Sequence, residues 1–265
     1  MTILIISLTG AKQRREFQMQ QLSALNLEFN FLDADSVDDI DETVYKQHYQ
    51  DWQRLLKTTE MACYYSHQHA WKEVIKSDQP ALILEDDALL SKCVPELLSD
   101  LINKKGVDLI NFENRGRKKF VSRSAENIVC NSKLLRLYLD TTGAAGYLLW
   151  PSGAKKLLEC EANKGIALAD AQIYNCRSLR SFQVEPSPII QLDMARHYGI
   201  KYKFDKKLSR SSVSSKARLS NKLSFKFKRI WAQIKLGLYQ TKICLSSTKR
   251  LINLLPEQFP THFDS

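Results

Sequence analysis

Ala81-Leu82-Ile83-Leu84-Glu85-Asp86-Asp87-Ala88-Leu89-Leu90 is the stretch on which the fold turns. Its apolar first half reads as a buried strand. Three carboxylates follow without a break, and apolar residues resume at Ala88, which encloses the acids between two hydrophobic segments. In open α/β sheets ligands bind beyond the carboxyl ends of the strands, and clustered carboxylates suit hard divalent cations whose coordination a substrate phosphate completes. The bland alternative is a solvated acidic turn, and the apolar flanks count against it.

Upstream, Ile3 to Leu8 is a short β-rich run that ends in Ser7-Leu8-Thr9-Gly10, and Ala11 to Leu25 follows with Phe17, Gln21, Leu22 and Leu25 in helical register. Arg14 and Arg15 fall in the first helical turns, where they either meet a nucleotide diphosphate or form a solvated face. Leu27 to Leu32 reads as a second strand closing at Asp33-Ala34-Asp35, and residues 36–58 show no usable period. Thr58-Thr59-Glu60 caps a helix running to about Ser77. Glu60, Cys63, His67, Trp71 and Val74 share one stripe of it. A buried Glu and His need polar partners, because burying either unpaired is costly. Partners in the sheet or the site are therefore expected. His69 lies on another face and reads as solvated.

Downstream, Val94 to Ile102 predicts a helix and Asp108 to Glu113 another strand ending in a carboxylate, so two acid-tipped strands point to one cleft. Arg115 to Lys119 is a basic loop, either solvated or set against an anionic acceptor. The small residues in Thr141-Thr142-Gly143-Ala144-Ala145-Gly146 permit close approach by a ligand or another strand. Pro151 opens a helix to about Ala162. Asp170 begins a further short one, where an Asp on its own compensates the helix dipole. Phe182–Val184 and Ile189–Leu192, separated by Pro186-Ser187-Pro188, read as edge strands.

The chain has 265 residues, 44% hydrophobic and 26% charged, which fits one globular domain with an appendage. Residues 201–265 carry 15 Lys/Arg against Asp205, Glu257 and Asp264, a net of +12, while the first 200 residues are close to neutral. Ser209–Ser215 reads as a linker. Beyond it Leu219, Leu223, Phe227, Ile230, Ile234 and Leu238 form an apolar stripe among Lys222, Lys226, Lys228, Arg229 and Lys235. This is the pattern of a basic helix lying on an anionic membrane, with packing against the body as the alternative. A second apolar and basic stretch covers Ile243 to Leu255. Nucleic-acid binding is disfavoured, since aromatics are sparse and no reading module is present. The six cysteines show neither zinc-ligand spacing nor a disulfide framework and read as reduced thiols. No run approaches the roughly 20 apolar residues of a membrane span, and the amino terminus lacks a signal peptide's basic flank, so a cytoplasmic setting is expected.

Together, Ile6-Ser7-Leu8 with Arg14-Arg15, Glu60-x-x-Cys63-x-x-Ser66-His67 with Trp71, Leu84-Glu85-Asp86-Asp87, Thr142-Gly143-x-x-Gly146-Tyr147, Asp170 and Pro186-x-Pro188-x-x-Gln191 resemble glycosyltransferase family 25, the bacterial lipooligosaccharide galactosyltransferases. The chain departs from the family pattern at Ala144-Ala145, an insertion, and at Ala169-Asp170, where Val-Asp or Ile-Asp is usual. The resemblance implies an α/β, GT-A-like nucleotide-diphospho-sugar-binding fold with a mixed central sheet over residues 1–200, and a basic helical tail over 201–265. It implies Mn2+ or Mg2+ on Asp87 and Asp86, and a UDP-sugar donor contacted by Ser7, Arg14, His67, Glu85, Asp86, Gly143 and Gly146. Asp170 would be the base, with Glu113 second. The expected reaction is inverting β-1,4 transfer of a hexose, galactose foremost, to a lipooligosaccharide or other glycan at the inner face of a bacterial inner membrane. The alternatives are a UDP-sugar hydrolase or nucleotidyltransferase of similar fold, and a non-catalytic peripheral membrane module.

Overall fold

A computed structural model describes residues 2–201, 208 and 223–261. The strands, in chain order, are β1 (Thr2–Ser7), β2 (Asn30–Asp33), β3 (Ala81–Glu85), β4 (Ala88–Leu90), β5 (Leu109–Asn111), β6 (Lys119–Ser122), β7 (Glu126–Ile128), β8 (Ser132–Leu139), β9 (Gly146–Leu149), β10 (Ser181–Glu185), β11 (Ile189–Gln191) and β12 (Ser247–Arg250). The helices are α1 (Lys12–Ala24), α2 (Glu42–His48), α3 (Thr58–Ser77), α4 (Val94–Leu101), α5 (Pro151–Lys164), α6 (Ala169–Asn175) and α7 (Leu223–Ile243).

One mixed sheet runs β12-β6-β8-β10-β5-β9-β3-β1-β2, with β7 also paired to β8, and β11-β4 forms a two-stranded ribbon. β1 lies parallel to both β2 and β3, with Ser7 opposite Asp33 and Ile6 opposite Glu85. Two helix-linked parallel connections therefore bring three carboxyl ends, each tipped with polar residues, to one edge. Side-chain alternation divides the core between the two faces of the sheet. Ala81 and Ile83 pack with Trp71, Val74, Leu157 and Ile173 from α3, α5 and α6. Leu82 and Leu84 pack with Leu22, Leu97 and Leu98 from α1 and α4 on the other face.

α3 begins where expected, and its cap is the Glu60 carboxylate, which accepts the Lys57 N–H at 3.0 Å and two Arg54 hydrogen bonds at 2.8 Å. Glu60 thus finds its partners beside the helix rather than in the sheet. His67, on the same stripe, bonds to the sheet itself.

In several places the structure departs from the sequence reading. β10 is an interior strand, parallel to β5 and antiparallel to β8, because Pro186 comes after the last ladder residue rather than within it. Cys160 and Cys176 are joined in a disulfide with Cα atoms 6.0 Å apart, which corrects the reading of all six as reduced. They sit 16 residues apart on α5 and just after α6, and the fold brings these helices together. The stretch from Ile243 does not continue as a helix. Ser247–Arg250 returns to the sheet as β12 against β6, Ile252 and Phe259 are buried, and Arg250 pairs with Glu185. The Ser209–Ser215 linker, Leu219 and Lys222 lie outside the described residues.

Candidate active site

A cleft of about 530 Å³ opens at the carboxyl edge of β1, β2 and β3. Its wall includes Ser7, Arg14, Cys63, His67, Glu85, Asp86, Asp87, Arg115, Gln191 and Asp193. The three consecutive acids leave β3 in different environments. Asp86 accepts hydrogen bonds from Ser7 Oγ at 2.8 Å and from Arg14 at 2.6 Å. Burial raises its pKa, and these two partners oppose the rise.

Glu85 accepts from His67 Nε2 at 3.2 Å and from Gln191 Nε2 at 2.9 Å. Burial works to raise this carboxyl, but the His67 and Gln191 contacts outweigh it and hold Glu85 below its ordinary value. The His67 tautomer follows from its two neighbours. Trp71 Nε1 can only donate, and it donates to the Tyr147 hydroxyl at 2.9 Å. The ionised Glu85 can only accept, which places an imidazole N–H at Nε2, and in neutral His67 the Nδ1 lone pair then takes the Tyr147 proton 2.9 Å away.

Asp87 has the opposite character. Its Oδ1 is buried without a hydrogen-bond partner, and burial followed by the charge of Glu85 pushes its pKa up to about 8. A buried carboxylate oxygen aimed into a cleft beside two other acids fits a divalent cation, which would take the place of the missing partner.

The remaining expected site residues lie outside the cleft wall, Asp170 near enough to feel the charge of Glu85. Glu113 is 1% exposed, is not among the cleft-lining residues, and accepts the Ala145 N–H at 2.8 Å. The anticipated convergence of two acid-tipped strands on one cleft is therefore met by β3 alone. Gly143, at φ +95, lies so close to Glu113 that a Cβ there would meet its Oε2 at 2.5 Å, and a Cβ on Gly146 would meet Ile189 at 2.7 Å. Both glycines serve packing around Glu113 and β11 rather than lining the cleft. Asp170, at the start of α6, is half-buried and accepts the Ala171 N–H at 2.7 Å through Oδ1. Burial above all raises its pKa, and Glu85 adds to the rise. His69 is largely solvated, as expected, with its ring 3.5 Å from Asp35.

Arg115, from the basic loop expected either in solvent or against an anionic acceptor, does line the cleft, and it is joined there by Asp193, which sequence reading did not single out. They pair at 2.9 Å across the mouth. Asp193 has no local pattern, since it sits in a short 3-10 turn after β11 that meets the Arg115 loop only through strands far apart in the chain.

Burial, foremost, pushes the Glu113 carboxyl up to about 8, against about 4.3 for an unfolded glutamate. The folded chain therefore binds this proton more tightly. The associated stability is complete below about pH 4 and is lost as pH rises toward 8, at up to about 1.4 kcal/mol per pH unit. Thermal melts of the metal-free protein at pH 5, 6, 7 and 8 should show this decline, and Glu113→Gln should make it shallower, leaving the part that Asp87 contributes. An equally steep decline in the variant would refute the assignment.

The model of glycosyltransferase family 25 (LPS biosynthesis protein) matches residues 1–172. A "Putative glycosyltransferase" of Haemophilus influenzae is 25% identical over 248 residues, covering 90% of this chain and 86% of its own. The "Lipooligosaccharide biosynthesis protein lic2B" of Haemophilus influenzae is 28% identical, covering 71% of this chain and 74% of its own. "Procollagen galactosyltransferase 1-B" of Xenopus laevis is 28% identical over 69% of this chain but only 34% of its own length. Among solved structures, a glycosyltransferase involved in the glycosylation of the major capsid of PBCV-1 aligns with a TM-score of 0.39 at 9% identity, covering 72% of this chain and 93% of its own. With a family model spanning well over half its length, over the segment that builds the acidic cleft, this chain belongs to glycosyltransferase family 25.

Proposed function

We propose that this glycosyltransferase moves a hexose, galactose foremost, from a UDP-sugar to a hydroxyl of a lipooligosaccharide or related glycan, with inversion and with Mn2+ or Mg2+ as cofactor. The observation that carries the reading is the unpartnered, buried Asp87 Oδ1 beside Asp86 and Glu85 on the cleft wall. Asp87 and Asp86 would hold the cation. When bound, such an ion supplies Lewis-acid stabilisation of the departing diphosphate.

The chain's own groups do the rest. Ser7 and Arg14 fix Asp86 so that its carboxylate cannot rotate away from the site. The Arg115 guanidinium at the cleft mouth complements a diphosphate. Glu85, locked by His67 and Gln191, presents an ionised acceptor to a hydroxyl of the donor. Asp170 is held in place by the Ala171 N–H on Oδ1 and by a backbone hydrogen bond from Gly143. As the acceptor oxygen bonds to the anomeric carbon and UDP leaves from the opposite face, the hydroxyl proton passes to the Asp170 carboxylate. The rise that burial gives this carboxyl strengthens it as a base.

α7 extends the reading to the membrane. No described helix is long and apolar enough to cross one. The outward face of α7 nevertheless shows Leu223, Phe227, Ile230, Trp231, Ile234 and Leu238 at 48% to 69% exposure, flanked by exposed Lys226 and Lys235. Such a helix fits the plane of an anionic bilayer, where each basic residue near the surface is worth about 1 kcal/mol. The proposed setting is peripheral, on the cytoplasmic face of a bacterial inner membrane. Deletion of residues 209–265 would strip β12, Ile252 and Phe259 from the body, so substitution is the cleaner test. Phe227→Glu with Trp231→Glu should abolish flotation with phosphatidylglycerol vesicles and leave turnover on a soluble acceptor intact. Undiminished flotation refutes the membrane role.

The reaction is tested by UDP release from a panel of UDP-sugars, with and without galactose-, glucose- and N-acetylglucosamine-terminated acceptors. Release that requires Mn2+ or Mg2+, one donor and an acceptor supports the transferase. Release indifferent to every acceptor favours a hydrolase.

A further inference from the structure

The cleft contains a second donor set, different in kind from Asp86 and Asp87. Cys63 and His67 are four residues apart on α3 and so lie one above the other on a single face of the helix. Glu85 reaches the same point from the end of β3. The Cys63 Sγ, a ring nitrogen of His67 and a carboxylate oxygen of Glu85 lie within 4.8 Å of one another. All three residues line the cleft, so a fourth position is open to water or a small ligand.

We propose that Cys63, His67 and Glu85 bind a thiophilic divalent cation of the Zn2+ class, at a site separate from the Asp86-Asp87 pair. The donor chemistry carries the distinction. One sulfur, one imidazole nitrogen and one carboxylate oxygen with an open fourth position match zinc, whereas Asp86 and Asp87 offer only the oxygen ligands that hard cations prefer.

The surroundings are those of a built ligand set. The ring nitrogen of His67 that faces away from Glu85 is held by Tyr147, which Trp71 fixes in turn, and the second Glu85 oxygen is held by Gln191. Anchoring of this kind orients ligands and governs metal affinity. Formation of the metal–sulfur bond releases the thiol proton to solvent, and the imidazole proton shifts from Nε2 to Nδ1, where the Tyr147 hydroxyl turns from donor to acceptor and leaves the Nε2 lone pair to the ion. Bound there, the ion takes Glu85 out of reach of any other cleft occupant. The site stands on these three side chains and holds whether or not the transferase reading does.

The test is a titration of the full-length, metal-free protein with Co2+, followed by competition with Zn2+. Cobalt bound to thiolate gives a near-ultraviolet charge-transfer band that oxygen-only sites cannot produce. The expected result is a band that saturates at about one equivalent and is displaced by Zn2+. Cys63→Ser should remove it. Glu85→Gln, which keeps the thiol, should weaken Zn2+ binding by about 10-fold or more. Asp87→Asn should leave the band in place. Absence of the band in the wild-type protein overturns the proposal, as does its persistence in Cys63→Ser through another free thiol such as the exposed Cys244. Loss of the band in Asp87→Asn overturns it as well, by moving the ion to the carboxylate pair. Should Cys63→Ser fail to fold by circular dichroism, unchanged Zn2+ affinity in Glu85→Gln is decisive against it. These readouts need no donor sugar, so failure of the transferase assay leaves them unaffected.

Discussion

Asp87→Asn is expected to lower acceptor-dependent turnover by about 10³-fold while leaving the folded protein at least as heat-stable as the wild type. A metal ligand that neutralises a leaving diphosphate contributes several kcal/mol of transition-state stabilisation, and each 1.4 kcal/mol is about tenfold in rate. The stability half of the expectation comes from the same geometry. Asp87 Oδ1 is buried without a partner, and burial first, then the charge of Glu85, pushes the carboxyl up to about 8. Its replacement by a neutral isostere removes a cost to the metal-free fold, which is the usual relation between a functional site and stability. Turnover and thermal melting, measured with and without Mn2+, read both halves. Turnover within a few fold of wild type would remove Asp87 from the site. A cooperative melt well below wild type would mean that the carboxylate is structural.

Asp170→Asn is expected to lower turnover by about 10²- to 10⁴-fold, the range of a positioned general base, with UDP and Mn2+ binding retained. The substitution keeps the oxygen that accepts the Ala171 N–H and removes only the ability to take a proton. Asp170 is half-buried and outside the immediate cleft wall, so donor binding should not register its loss. Isothermal titration of UDP separates this behaviour from that of Asp87→Asn, in which Mn2+-dependent UDP binding should fall together with rate. Near-wild-type turnover in Asp170→Asn would assign the base elsewhere, and Glu85 is then the ionised carboxylate in the cleft.

The central strand, the helix that follows β1 and the long α3 were legible because their apolar patterns are local and strong. Glu85, Asp86 and Asp87 announced a site through their flanks, and His67 through its place on a buried stripe. Residues 119–139 were not legible, although they contain three strands. Lys119, Lys133 and Arg136 interrupt the apolar alternation there and suggest loop. In the fold Lys119 is buried on β6 with its Nζ 2.7 Å from Asp140, also bonded to Gln183 and to the Glu113 carbonyl. A buried ion pair between positions 21 residues apart leaves no local signature, and its charge misleads hydropathy. Gly143 and Gly146 carried a true signal of close approach, but the approaching groups are Glu113 and Ile189 rather than a ligand. Arg115 was visible as part of a basic loop, but its partner Asp193 could be found only once topology had brought the two segments together.

α7 is anchored at both ends. Phe225 is buried near its start, and Lys228 donates to the Gln50 carbonyl at 2.6 Å. At the far end Tyr239 reaches the Tyr138 carbonyl at 3.1 Å, Ile243 is buried, and the chain passes into β12 on the sheet edge. A beam clamped at two abutments cannot swivel. Whatever flat surface the outer face of α7 rests on becomes the horizon of the whole molecule, and the height and tilt of the cleft above that surface are set by the sheet rather than by a slack tether. Acceptor choice on such a surface then becomes partly a matter of reach, with a glycan too short or too long to rise to the cleft passed over regardless of its terminal sugar.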